Sequence, residues 1–72
     1  MYRIRFSLQL SSEQYLAYYQ GYVRNVSVLG DDGRRIEFPA EHLRGYLTHE
    51  GIHGRFEIQF DAQHRFVTLQ RC

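Results

Sequence analysis

Lysine and tryptophan are absent from this chain of 72 residues, and cysteine and proline occur once each. With only Cys72, the last residue, an internal disulfide is excluded, and the thiol can pair only between chains. A loosely held terminal thiol without a role is the expected reading. No apolar run approaches the roughly 18 residues a membrane-spanning helix needs. The opening MYRIRFSLQL alternates instead of forming the continuous apolar core of a secretory signal. These absences lead to the expectation of a cytoplasmic protein with no membrane partner. Charge of one sign is also lacking: the formal net charge is +1, so no large field favours nucleic acid or an acidic membrane. All nine basic residues are nevertheless Arg, the side chain suited to bidentate carboxylate or phosphate recognition and to stacking on aromatics. A bias toward GC-rich codons is the plainer explanation of that choice.

What the chain does have is aromatic side chains, six Tyr and five Phe within a hydrophobic fraction of 43%. That composition supports a packed domain over residues 1–72, although a domain this small buries only about 60% of the surface its unfolded chain exposes. YRIRFSLQL has the period of two of a half-buried strand, with Tyr2, Ile4, Phe6, Leu8 and Leu10 on one face. SSEQYLAYYQG then changes to a helical period. Ser11 and Gln14 form a capping box, and Gly21 is placed as a left-handed stop. Tyr15, Leu16 and Tyr19 are expected to lie on the sheet, with Tyr18 facing water.

YVRNVSVLGDDGRRIEFP reads as a hairpin, with Val26 and Val28 on one arm, Ile36 and Phe38 on the other, and Asp32-Gly33 at the turn. Asp31 and Asp32 suit a turn better than a catalytic carboxylate pair. Pro39 can open a short helix over PAEHLRGYL, which Gly45 weakens. RFEIQF and RFVTLQR supply two further strands. In the last of these, Val67 and Leu69 share one face and Phe66 and Thr68 the other, so that the strand packs on both sides or exposes Phe66. The expected fold is α+β: a five-stranded antiparallel sheet, open or curled into a small SH3-like barrel, with one N-terminal helix and one short second helix.

One stretch spells a chemistry. His49-Glu50-Gly51-Ile52-His53 matches H-E-x-x-H, which places two imidazoles on one ion when the segment is helical. Gly51 lies inside the motif and Gly45 and Gly54 flank it, each costing a helix about 1 kcal/mol. A third ligand, His64 or Asp61 on paper, lies beyond a strand, and a peptide cleft needs more chain than this. With four His and five Glu, the pattern arises by chance in about 1 of 70 such chains. A turn bearing surface imidazoles is the favoured reading. A noncatalytic metal site at His49 and His53, joined by His42 or His64, is the alternative.

At Tyr18-Tyr19-Gln20-Gly21, Asp32-Gly33-Arg34, Phe38-Pro39 and Gly51-Ile52-His53-Gly54 the chain resembles a family of small uncharacterised proteobacterial proteins, a domain of unknown function. The resemblance covers essentially the whole chain. It implies a bacterial cytoplasmic protein, assigns no activity to any residue, and suggests that Gly51-Ile52-His53-Gly54 serves a turn.

Two functional classes follow. In one, the chain is a protein-interaction module, docking on a partner or on itself through an aromatic patch of Tyr18, Tyr22, Tyr46 and Phe66. In the other it binds nucleic acid, with Arg3 and Arg5 on the outward face of the first strand, Arg55 near the start of the fourth, and Tyr18, Tyr22 or Tyr46 nearby. Glu37 and Glu57 as cross-strand partners weaken that second reading. No nucleophile with a matching base, phosphate loop or dinucleotide fingerprint is present, so neither enzymatic activity nor a cofactor is expected.

Overall fold

In the computed structural model, residues 2–72 are described. β1 (Tyr2–Leu10) is followed by α1 (Ser12–Tyr19), β2 (Asn25–Leu29), β3 (Arg35–Pro39), a 3-10 helix (Ala40–Tyr46), β4 (Ile52–Phe60) and β5 (Phe66–Arg71). All strand pairings are antiparallel. β1 pairs with β4 along its full length, from Tyr2 opposite Phe60 to Leu10 opposite Ile52, and β5 adds to the other side of β4. β2 and β3 form the expected hairpin, with Val26 opposite Phe38 and Val28 opposite Ile36.

The five strands thus divide into a sheet of order β1-β4-β5 and a separate β2-β3 ribbon, correcting the single five-stranded sheet. Nor does a barrel close. The backbone bond between β1 and the hairpin runs from the Asp31 N–H to the Arg5 carbonyl at 2.8 Å, at the hairpin tip. One bond at a tip joins two sheets without making a ladder. Side chains do the rest: Phe6 of β1 packs on Phe38 of β3 and on Phe56 of β4, with ring centroids 5.9 Å apart in both pairs. The core lies between sheet and ribbon, and among the described residues it contains no buried polar or charged side chain.

The alternation of β1 appears as buried Ile4, Phe6, Leu8 and Leu10, while Tyr2 at the open end is exposed. α1 has the capping box: Ser11 Oγ accepts from the Gln14 N–H at 3.1 Å, and Gln14 Oε1 accepts from the Ser11 N–H at 2.9 Å. The buried face of α1 differs from expectation. Tyr15 is buried and Tyr18 packs against the core, whereas Leu16 and Tyr19 are exposed. Spacings of three and four residues both suit a helix. The neighbour chooses between them, and here it is the 3-10 helix, whose Ala40 carbonyl accepts from the Tyr15 hydroxyl at 3.4 Å.

The second helix forms where PAEHLRGYL places it, but as 3-10 turns, the tighter form used in short pieces. The last strand also departs from simple alternation. Phe66 pairs with Phe60 and Thr68 with Gln59, which leaves Val67 as an extra residue, a β-bulge. The bulge returns Phe66 to the inner face, where it is half-buried, and turns Val67 outward to solvent. This corrects the expectation that Val67 shares a face with Leu69 and that Phe66 lies opposite.

Candidate interaction surface

The outward face of β1 and β4 pairs Arg5 with Glu57 and Ser7 with Arg55 in register. Both arginines are occupied. Arg5 Nε lies 3.2 Å from Glu57 Oε1, and Arg55 forms an ion pair with Asp31 and donates to Ser7 Oγ at 2.8 Å. The hydrogen bond that Arg55 donates to the Asp31 carboxylate, and then the charge of that carboxylate, raise the Arg55 pKa. Donation from the Gln59 amide, followed by the Arg5 guanidinium, holds the Glu57 carboxyl below its ordinary range. Arg3, opposite Gln59, belongs to no ion pair with a described residue. The three arginines read as a nucleic-acid face therefore share one sheet surface, with two of the three matched internally.

The aromatic residues read as an interaction patch differ in burial, Tyr18, Tyr46 and Phe66 being half-buried and Tyr22 exposed. Tyr46 is half-buried: its hydroxyl donates to the Leu69 carbonyl at 2.9 Å and its ring meets Phe56 edge-on at 5.2 Å. Phe66 lies beneath His42, with ring centroids 3.7 Å apart. Both therefore help hold the 3-10 helix to the sheet, and both are half-buried. Tyr18 lines a groove beside α1, and Tyr22 is the most exposed large apolar residue among those described.

Residues 48–51 form a turn closed by paired backbone bonds between Thr48 and Gly51, 2.9 Å each way, and β4 begins at Ile52. The strand starts three residues earlier than RFEIQF suggests, so His53 lies within it. Its Nδ1 is 2.7 Å from Gln9 Oε1 and its Nε2 is 2.8 Å from the Glu50 carbonyl, while His49 is exposed. The histidine pair thus lacks the helical stacking of a zinc protease. His42 rests on Phe66 and His64 on Tyr2, the latter with centroids 5.0 Å apart. Among the described residues no group of three or more His, Cys, Asp or Glu is placed to hold a metal.

Periodicity did not point to the surface around α1. Leu16 and Tyr19 on the helix and Tyr22 and Val23 in the following loop are all exposed. Beside them, between α1, the loop and the 3-10 helix, lies a groove of about 530 Å³ lined by Tyr18, Tyr19, Val23, Arg24, Pro39 and Arg44. Two contacts join the elements around it. The Ala40 N–H donates to the Arg24 carbonyl at 2.9 Å, and Tyr15 seats the helix on the 3-10 turn.

A family model described as a protein of unknown function, DUF2835, matches residues 2–72. The chain belongs to this family. No curated protein and no solved structure matches it. For DUF2835 the match spans β1 to β5, so the helix, the groove and the turn at 48–51 all lie inside the family's extent. No helix of the described residues is long and apolar enough to cross a membrane.

Proposed function

We propose that the chain is a non-enzymatic protein-interaction module whose contact surface is the outer side of α1 and the loop after it. The observation that carries this reading is where exposed apolar area falls. Of eight large apolar residues exposed among those described, four lie within residues 16–23: Leu16 at 48%, Tyr19 at 61%, Tyr22 at 81% and Val23 at 44%. Single exposed apolar side chains are ordinary, but a cluster within one short segment is the pattern of a docking site. Tyr is also a residue type that dominates interface energies. Nucleic acid is the lesser reading, since Glu57 and Asp31 already neutralise Arg5 and Arg55.

The test is site-specific photo-crosslinking of the full chain inside cells, with a benzophenone amino acid replacing Tyr19, Tyr22 or Arg3 in turn. Discrete protein adducts at positions 19 and 22, but not at position 3, are the expected result. Nuclease-sensitive adducts at position 3, with none at 19 and 22, would reverse the ranking of the two readings.

A further inference from the structure

We infer that the groove between α1 and the 3-10 helix takes an acidic peptide segment of the partner protein, with its carboxylates held by Arg24 and Arg44. The inference rests on the interaction reading above and specifies the chemistry of the partner. Four of the nine arginines, at positions 5, 34, 55 and 65, form ion pairs with carboxylates. Arg71 is held by the His53 carbonyl at 3.0 Å and by the rings of Phe56 and Tyr46, and Arg35 lies 3.4 Å from Ser27 Oγ. Arg3, Arg24 and Arg44 remain without an ion pair to a described residue, and of these Arg24 and Arg44 line the same groove.

Their geometry suits carboxylates. The Arg44 guanidinium carbon lies over the Tyr19 ring, 5.3 Å from its centroid. A guanidinium carries five N–H donors, and a cation–π contact with a ring consumes none of the donors that the bidentate bonds to a carboxylate require. The bond from Ala40 N–H to the Arg24 carbonyl, 2.9 Å, ties the backbone of the second arginine to the start of the 3-10 helix. Tyr18, Val23 and Pro39 line the groove with the two arginines and give it apolar surface. A volume of about 530 Å³ lies within the range of ligand-binding clefts.

A peptide fits better than a nucleic acid because of Glu41, which lines the same groove. Its carboxylate repels ligand phosphates and carboxylates alike, but a peptide offsets this with backbone N–H groups for it to accept from, which a phosphodiester chain lacks. Two arginines against one glutamate leave the lining net positive, which complements a segment with two or more carboxylates.

The experiment is a titration of the isotopically labelled full chain, followed by amide NMR. The probes are a heptapeptide alternating leucine and glutamate, its glutamine counterpart, inorganic phosphate and a single-stranded oligonucleotide. The glutamate peptide is expected to shift the resonances of Tyr19, Arg24 and Arg44, and the glutamine peptide to bind at least about tenfold more weakly. Replacing both arginines, Arg24→Gln with Arg44→Gln, is expected to cost a similar factor, while Arg3→Gln costs none. The single Arg24→Gln variant, whose amide spectrum away from the groove stays unchanged, guards against loss of the fold. Equal binding of the two peptides would overturn the inference, as would phosphate alone giving the same shifts or an oligonucleotide binding the groove more tightly. If no peptide binds while crosslinks at positions 19 and 22 persist, the acidic-peptide inference falls and the interaction reading stands.

Discussion

Gly51 shows how one residue decides the meaning of a motif. Its φ is +106°, and a Cβ there would run into the Leu10 carbonyl oxygen and come within 2.8 Å of the Ser11 carbonyl carbon. The segment HEGIH therefore contains glycine because the turn at 48–51 passes hard against the end of β1. Replacing Gly51 with Ala combines backbone strain with a clash against backbone and is expected to cost more than about 2 kcal/mol in urea denaturation. Gly45 is the control. It has no heavy atom within 4 Å of the Cβ position, and Gly45→Ala is expected to raise stability by about 0.5 kcal/mol through the unfolded chain. Equal effects at the two positions would refute the steric account. The turn itself was legible from the density of glycines. That Arg71 turns inward was not. Its guanidinium approaches Gly54, where a Cβ would come within 2.6 Å of Nη1, and stacks 5.0 Å from the Phe56 ring centre. Only the pairing of Arg71 with Phe56 across β4 and β5 places a cation there.

The elements were legible where the signal is local. The capping box of α1 depends on two residues three apart, and the hairpin on turn residues between two alternating arms, so neither needs a distant partner to be recognised. A helix of eight residues is too short to persist alone, so its end contacts matter. Ser11→Ala removes an acceptor from the Gln14 N–H and is expected to cost about 1 kcal/mol, seen as a lower denaturation midpoint. An unchanged midpoint would mean that Tyr15, not the cap, holds the helix. What α1 buries was not legible. Tyr15 with Tyr18, and Tyr15 with Tyr19, both satisfy helical spacing, and the choice between them left Leu16 and Tyr19 exposed beside the groove. β5 was misread for a related reason. The extra residue at Val67 arises from its register against Gln59 and Phe60, and an alternation count along one strand carries no information about register.

For the molecule as a whole, carboxylates held in charged form link folding to pH. The Asp61 carboxyl lies below its ordinary value of 3.8, chiefly because it accepts from the Arg65 backbone N–H, then from Gln63 and the Arg65 side chain. Glu57 lies below 4.5 for the reasons given above. For groups depressed in the folded state, the added stability is complete above the unfolded values and is lost as pH falls through the folded ones. The melting temperature should therefore be flat down to about pH 5 and fall below it. Asp61→Asn should melt lower at neutral pH and lose less on acidification. A melting temperature that rises on acidification would contradict this assignment. By itself the sequence determined the α+β class, the order of the elements, the helix cap, the hairpin and the turn within HEGIH. Each of these rests on residues close together in the chain, through periodicity, capping or backbone freedom. Tertiary structure alone decided the division into two sheets, the inward return of Phe66 and the groove that Arg24 and Arg44 both line. Those depend on strand register and on which neighbour covers which face, and a surface site is built from what packing leaves uncovered.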